Sequence, residues 1–145
     1  KGAKIAIFGM GRVGVGAYDE LANVENKQVI GIDFDRQSID LHAAQNRNVA
    51  LGNPNDPDFW ERIEHNPTFE LILLAMPNFQ ANLNALNQLK NMNYPAKIAA
   101  VVRYPDEEDL FRAEGVTEVF NIYTEAGAGF AEHVVKSIDP QPDSE

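Results

Sequence analysis

The chain has 145 residues, of which 44% are hydrophobic, and a formal net charge of −10. This size suits one domain with one core, and the acidic balance argues against nucleic acid and anionic membrane surfaces as partners. The absence of cysteine excludes disulfides and zinc–thiolate sites and favours a reducing compartment, so a cytoplasmic location is expected.

Short apolar runs alternate with helical patterns along the chain, which predicts a parallel sheet with helices on both faces. The six predicted strands are Lys4–Phe8, Gln28–Asp33, Asn48–Leu51, Leu71–Ala75, Lys97–Val102 and Glu118–Phe120. The predicted helices are Arg12–Leu21, Arg36–Gln45, Phe59–Glu64, Gln80–Met92, Asp106–Ala113 and Ala126–Ser137. The expected fold is one α/β domain over residues 1–137, with residues 138–145 as a tail or linker.

No run of about 18 apolar residues is present, so no segment is expected to insert into a membrane. The chain starts directly at a strand, and we therefore expect it to be a fragment of something longer.

A glycine motif follows the first predicted strand. Gly9, Gly11 and Gly14 form G-x-G-x-x-G between a strand and a helix, and Asp33 ends the second strand 19 residues later. In this context the glycines permit a sharp turn, close approach of pyrophosphate and close helix packing, while the helix N-terminus offers free N–H groups to phosphate. The pattern predicts a Rossmann-like, doubly wound nucleotide-binding domain.

Asp33 predicts which nucleotide is bound. A carboxylate at this position accepts hydrogen bonds from a ribose diol and repels a 2′-phosphate, which favours NAD or AMP over NADP. The alternative is a glycine-rich turn followed by an incidental acid.

Four more positions fall at the carboxyl edge of the predicted sheet, where ligands bind in such folds. Arg36 either stacks on an adenine ring or is a solvated helix residue. Asn53 either faces the base or belongs to an ordinary turn. Asn78, with the backbone that precedes it, could line a pocket, and Arg103 either holds phosphate or pairs with an acid.

The remaining aromatic, histidine and nucleophilic residues do not point to a functional site. The pair Phe59 and Trp60 has helical spacing from Ile63 and is interpreted as core. The three histidines have neither mutual nor carboxylate spacing typical of a metal site, so no metal is expected. No nucleophile–base constellation is present, and no catalytic residue is assigned.

The later segments resemble the TrkA N-terminal type of regulatory domain, called RCK, of potassium channels, Trk systems and Kef-type potassium/proton antiporters. The resemblance is nearest to the Kef group. It rests on Phe8–Gly14, Gly31–Asp35, Asp56–Trp60, Leu73–Pro77, Asn82, Arg103, Gly115–Val116 and Asn121–Gly127.

This resemblance implies a site that holds phosphate at the glycine turn, ribose at the acid, and adenine at the segment after the third strand. The expected site residues are Gly9, Met10, Gly11, Arg12, Val13, Gly14, Asp33, Phe34, Arg36, Gly52, Asn53, Ala75, Met76, Pro77 and Arg103. Asn53 stands where the family usually has Asp, Pro54 replaces a small residue, and Val101 stands where many relatives have arginine. These departures affect base preference and the hold on the far half of the nucleotide.

The resulting hypothesis is a non-enzymatic cytosolic module that binds NAD(H) or AMP, forms a homodimer and gates a membrane-embedded potassium-efflux/proton antiporter of the same or a partner chain. Two alternatives are open. One is a small NAD-dependent oxidoreductase or its cofactor domain, and the other is a dimerisation module whose nucleotide site has decayed.

Overall fold

The computed structural model describes residues 2–139. Its strands are β1 (Ile5–Phe8), β2 (Val29–Asp33), β3 (Val49–Leu51), β4 (Leu71–Leu74), β5 (Lys97–Val102) and β6 (Glu118–Asn121). Its helices are α1 (Arg12–Asp19), α2 (Arg36–Ala44), α3 (Pro57–Glu64), α4 (Phe79–Asn91), α5 (Pro105–Ala113) and α6 (Ile122–Ile138), and a π-helical turn (Glu20–Val24) extends α1.

The six strands form one parallel sheet in the order β3-β2-β1-β4-β5-β6. The chain moves outward from β1 through β2 to β3, then crosses to β4 on the other side of β1 and continues outward. Strand order therefore reverses between β1 and β4, which opens a crevice at the carboxyl edge. The predicted doubly wound α/β fold is confirmed.

The larger core lies on the face covered by α3, α4 and α5. Its largest buried side chains include Phe8 of β1, Leu86 of α4 and Phe111 of α5. Phe59 and Trp60 of α3 are 4% and 5% exposed and pack edge-on or tilted against Phe8. Their interpretation as core is confirmed.

The opposite face carries a smaller core under α1. Ile5 and Ile7 of β1 pack here with Tyr18 of α1 and with the side chain of Met10. The side chain of Met10 fills the space beside Gly31. A Cβ atom at position 31 would collide with the Met10 sulfur, so only glycine fits there. This packing holds the chain segment that leaves β1 close to β2.

Most predicted element boundaries agree with the structure to within about two residues, but the predicted start of the last helix at Ala126 is wrong. The helix begins at Ile122 because the side-chain oxygen of Asn121 accepts the N–H groups of Tyr123 and Thr124, both at 3.1 Å. Such an N-cap satisfies donors of the first turn and lets a helix start directly at a strand end. Of the predicted tail at 138–145, Ile138 is the last residue of this helix, and residues 140–145 lie outside the described residues.

Helix α6 differs from the other helices because none of its residues is buried. At least two residues separate every other strand from the helix that follows, whereas Asn121 both ends β6 and caps α6. Without a connecting loop the chain cannot reverse and lay α6 on its own sheet. Among residues 2–139, no helix therefore covers the outer part of the sheet face over β5 and β6 on the α1 side.

Candidate nucleotide-binding site

The loops after β1, β2 and β4 meet at one point of the carboxyl edge. Phe8 is in register with Ile32 of β2 and with Leu74 of β4. The residues that follow are tied in the same way, since the N–H of Gly9 donates to the Ile32 carbonyl and the N–H of Ala75 to the Phe8 carbonyl, both at 2.8 Å. Residues far apart in sequence thus form one crevice.

The glycines of the first loop have distinct spatial roles. Gly9 has φ +104°, and a Cβ there would lie 2.7 Å from the nitrogen of Met76. A Cβ on Gly14 would collide with the carbonyl oxygen of Gly9. A Cβ on Gly11, by contrast, would meet nothing within 4 Å. The space over Gly11 is therefore open to a ligand, while the other two positions are closed by the protein itself.

The first turn of α1 presents unpaired donors toward this space. Among residues 2–139, no backbone or side-chain acceptor receives the N–H groups of Gly11, Arg12, Val13 or Gly14, and the first hydrogen bond of the helix runs from Val15 to the Gly11 carbonyl at 2.8 Å. The first turn carries no acidic residue. Unpaired amides and the positive end of a helix dipole attract phosphate or another anion.

Asp33 lies directly beside this loop. Its Oδ2 accepts the N–H of Met10 at 2.9 Å, and its Oδ1 accepts the N–H of Asp35 at 3.0 Å. A carboxylate has about four acceptor sites, so two remain for further donors. The side chain is half-buried. It is therefore a fixed acceptor that can receive the two hydroxyls of a ribose.

The loop after β4 is fixed by a buried amide. Asn82 of α4 is 1% exposed, and its side chain accepts the N–H of Met76 at 3.1 Å and donates to the carbonyl of the same residue at 2.9 Å. Arg103 reaches the same loop and donates to the Pro77 carbonyl at 3.0 Å. The backbone that closes over Gly9 is thus held by two side chains from neighbouring elements.

The loop after β3 begins at Gly52, which is buried and whose N–H donates to the Asp33 carbonyl at 2.9 Å. A Cβ at this position would lie 2.6 Å from the ring of Phe59. The side-chain oxygen of Asn53 accepts the N–H of Asn55 at 2.9 Å. Asn53 thus forms the ordinary turn that the sequence allowed as one interpretation, and its oxygen keeps one lone pair for another donor.

A small cleft of about 30 Å³ lies between these loops. Phe34 lies at the cleft and is 66% exposed, which leaves an aromatic ring available for stacking. Among the residues that line the cleft, Asp33 is the one titratable side chain. The lining residues are Phe8, Gly9, Ile32, Asp33, Phe34, Gly52, Pro54, Met76 and Pro77.

The sequence matches the TrkA-N domain family over residues 5–122. The chain belongs to the TrkA-N domain family. The match covers every strand and all helices except the body of α6. No curated protein matches the sequence at a significant level.

Solved structures of other proteins share the fold of this chain. The NAD(P)-binding domain of an exopolyphosphatase-related protein from Archaeoglobus fulgidus superposes with a TM-score of 0.81 at 19% identity, over 92% of this chain and 98% of that one. The TrkA-N domain of the inner membrane protein ybaL from Escherichia coli gives 0.76 at 20% identity, over 90% and 96%. The AMP-bound Kef CTD of Shewanella denitrificans gives 0.74 at 16% identity, over 92% and 80%.

The TrkA-N domain does not bring every predicted site residue to the cleft. Arg36 opens α2 as an exposed residue, and Asp35, before it, caps that helix by accepting the N–H of Gln37 at 3.2 Å. Met10 contributes only its backbone, because its side chain is buried on the α1 face. Arg12, Val13 and Ala75 line a different cavity.

That second cavity lies between α1 and the uncovered part of the sheet, with a volume of about 510 Å³. Apolar and small side chains dominate its walls, with Arg12 and Glu118 as the charged exceptions. The lining residues are Arg12, Val13, Gly16, Ala17, Leu73, Ala75, Ala99, Ala100, Val101, Glu118, Val119 and Phe120. The first turn of α1 therefore borders both the glycine loop after β1 and this apolar groove.

Neither a metal-ligand cluster nor a membrane-spanning helix is found in the described part of the chain. In the TrkA-N domain, within residues 2–139, no cluster of three or more His, Cys, Asp or Glu side chains could hold a metal ion. Within the same residues, no helix has both the length and the apolar character needed to cross a membrane.

Sequence reasoning assigned no role to His42 and quoted Asn82 only for the resemblance. Asn82 is an ordinary polar residue in the helical pattern, and its burial against Met76 depends on how α4 crosses the sheet. His42 binds the Met10 carbonyl at 2.9 Å. Nothing in the sequence indicates this contact, because 32 positions separate the two residues.

Proposed function

We propose that this TrkA-N domain is a regulatory module that binds an adenine nucleotide, NAD(H) or AMP, without transforming it. The observation that carries the proposal is the pairing of Asp33 with the glycine loop at the point where strand order reverses. The pairing supports the proposal because a ribose needs a fixed acceptor and a phosphate needs free donors. Asp33 is such an acceptor, and it lies beside four backbone amides that have no acceptor among residues 2–139. The AMP-bound Kef relative supports the same ligand class.

The site offers little for chemistry on the ligand. Asp33 is the one titratable side chain among the cleft-lining residues, and both of its oxygens already accept backbone N–H groups. His42 is engaged by Met10 and Arg47, and His65 by the carbonyl of Glu61 on α3. A hydride-transfer enzyme needs a proton donor or acceptor next to the nicotinamide and a substrate pocket. This favours regulation over the oxidoreductase alternative.

Helix α6 supports a homodimer. Tyr123, Phe130, Val134 and Ile138 recur at helical spacing along one side, and their exposed fractions are 59%, 70%, 43% and 80%. An apolar stripe of this kind is stable in water only when another surface covers it. The groove beside α1 is apolar and lies on the sheet face that α6 leaves free. We infer that α6 of each chain covers the groove of a second copy.

This dimer explains how a bound nucleotide could act. Arg12 belongs to the first turn of α1, which faces the phosphate site, and it also lines the groove that receives the partner helix. A nucleotide that binds one dimer arrangement more tightly than another shifts the equilibrium by that difference in affinity. We infer that this shift gates a potassium/proton antiporter attached to the domain at the cytoplasmic face of the membrane.

Binding and turnover are measured together. The purified domain is titrated calorimetrically with NAD, NADH, AMP, ATP and NADP, and the mixtures are then checked by absorbance for oxidation or reduction of the nicotinamide. The proposal expects saturable binding of adenine nucleotides without turnover. Turnover would instead identify an oxidoreductase, and absence of all binding would identify a dimerisation module.

The dimer is tested by light scattering coupled to size-exclusion chromatography. Phe130→Glu places a charge in the exposed stripe of α6 and is expected to give monomers at concentrations where the unchanged chain is dimeric. Leu41→Glu is the matched control, because Leu41 of α2 is 65% exposed but lies outside α6 and the groove. A monomeric unchanged chain would contradict the proposed dimer.

A further inference from the structure

A chain of hydrogen bonds runs from the end of α1 to the glycine loop. Asp19 at the end of α1 receives two donors from Arg47, Nε and Nη2, both at 2.9 Å. Nη1 of Arg47 lies 3.1 Å from Nδ1 of His42, and Nε2 of His42 lies 2.9 Å from the carbonyl oxygen of Met10. The Arg47 side chain is 16% exposed, whereas the Asp19 side chain at the far end of the connection is 40% exposed.

The partners determine which ring nitrogen of His42 carries the proton. A guanidinium has donors only, so Nδ1 of His42 must act as the acceptor toward Arg47. The carbonyl of Met10 has acceptors only, so Nε2 must carry the hydrogen and donate it. The lowered pKa of Asp19, caused first by its hydrogen bond with Arg47, keeps that carboxylate charged and Arg47 anchored.

The contact at Met10 orients the peptide group that faces the phosphate site. The peptide between Met10 and Gly11 is trans, and in a trans peptide the carbonyl and the N–H point in opposite directions. Because the carbonyl points to His42, the N–H of Gly11 points away from His42, and no acceptor among residues 2–139 receives it. Asp33 holds the other side of the same residue through the Met10 N–H.

We propose that His42 is a positioning residue for phosphate binding, oriented by Arg47 and acting through the Met10 carbonyl. The inference rests on the proposed function, since it assigns a role within the same nucleotide site. His42 touches no part of the ligand. It holds the Gly11 amide in the direction from which a phosphate oxygen can accept its hydrogen, so the loop is ordered before the nucleotide arrives.

The test compares ligands with and without phosphate. The isotope-labelled domain is titrated with adenosine, AMP and NAD, and binding is followed in amide NMR spectra, which measure weak affinities as well as strong ones. His42→Leu removes the donor and is expected to weaken AMP and NAD binding roughly tenfold while adenosine binding changes less than about twofold.

Two further variants separate positioning from packing. His42→Gln carries an amide nitrogen at about the place of Nε2 and is expected to keep AMP affinity within about threefold of the unchanged chain. His65→Leu is the matched control, because that exposed histidine bonds only within α3 and its C-terminal turn and should alter no affinity. An unchanged ratio of AMP to adenosine affinity in His42→Leu overturns the positioning role.

A measurement on the unchanged chain covers the case in which His42→Leu does not fold. Long-range nitrogen–proton NMR spectra of the histidine rings report which nitrogen is protonated. The proposal expects the hydrogen of neutral His42 on Nε2, and a hydrogen on Nδ1 overturns it. If the unchanged chain binds neither AMP nor NAD, the proposed function itself fails. That outcome differs from one in which the chain binds AMP but His42→Leu leaves the ratio of AMP to adenosine affinity unaltered, which overturns only the role of His42.

Discussion

The carboxylate of Asp33 accepts the backbone N–H of Met10 at 2.9 Å although the two residues are 23 positions apart. Asp33 ends β2 and Met10 belongs to the loop after β1, so one side chain joins two of the loops that form the candidate site. The same carboxylate also accepts the N–H of Asp35. Asp33 therefore fixes the backbone of two loops in the protein without a ligand, and it also has acceptor sites left for the proposed ribose contact.

Replacing Asp33 is therefore expected to affect both binding and stability. Asp33→Ala should weaken AMP and NAD binding about tenfold or more and reduce the free energy of unfolding by about 1–2 kcal/mol, because two backbone donors lose their acceptor. Calorimetric titration and urea unfolding measure the two effects. Asp40→Ala, an exposed acid of α2, is the control, and equal nucleotide affinity in both variants would remove Asp33 from the site.

The charge of Asp33 also leads us to expect that the domain prefers NAD over NADP. The unchanged domain should bind NAD about tenfold or more tightly than NADP, because a 2′-phosphate would face the carboxylate. Asp33→Asn keeps the shape and one acceptor oxygen but removes the charge, so the ratio of the two affinities should fall toward one. Parallel titrations of both variants with both nucleotides give this ratio, and a ratio that stays constant would speak against the ribose assignment.

Two glycines of the same loop should respond oppositely to alanine. Gly9→Ala meets the backbone of Met76 at 2.7 Å in a conformation with positive φ, so we expect a loss of about 2–4 kcal/mol in stability. The added methyl group of Gly11→Ala meets nothing within 4 Å and should change stability by less than about 1 kcal/mol. It would, however, occupy the space that we propose for phosphate.

Thermal unfolding and AMP titration of the two variants test this contrast. Gly11→Ala should remain folded and bind AMP at least about tenfold more weakly. Tight binding by this variant would show that phosphate does not approach the chain at Gly11.

The buried amide of Asn82 supports the loop that closes over Gly9. Asn82→Ala leaves the N–H and the carbonyl of Met76 without their side-chain partner in a buried place, and we expect a loss of about 2–4 kcal/mol in unfolding free energy. Asn84→Ala, which changes an exposed residue two positions further along α4, should change stability by at most about 0.5 kcal/mol. Urea denaturation compares the two, and equal stabilities would refute the supporting role.

The pair of Asp19 and Arg47 predicts a dependence of stability on pH. Arg47 holds the pKa of Asp19 below its ordinary value of 3.8, chiefly through their hydrogen bonds. A depressed pKa in the folded state adds stability that is fully present above 3.8 and is lost as pH falls through the lower, folded value. Because Asp19 is 40% exposed, solvent screening limits the effect to at most about 1 kcal/mol.

Urea unfolding of the unchanged domain and of Asp19→Asn at pH 7 and pH 3 measures this term. The stability difference between the two proteins should shrink at the lower pH, where the carboxylate is partly protonated. A difference that is the same at both pH values would mean that the ion pair does not contribute through this titration.

Local patterns in the sequence determined the strand and helix order, the glycine turn and the acid that ends β2. These features depend on neighbours in the chain, as with Gly9, Gly11 and Gly14 between an apolar run and a helical pattern. Sequence also predicted Phe59 and Trp60 as core, because their spacing from Ile63 places all three on one helix side. Whether Arg36 or Asn53 meets a ligand stays a prediction.

Only the tertiary structure decided which of these residues meet. The hydrogen bond from Met10 to Asp33, the burial of Asn82 against Met76, and the path from Asp19 through Arg47 to His42 all join positions on different elements. Such pairings depend on strand register and on the crossing of helices over the sheet, which no local pattern encodes. The free position of α6 depends on where β6 ends in the sheet, because the cap at Asn121 starts the helix at that strand end with no loop in which the chain could turn back.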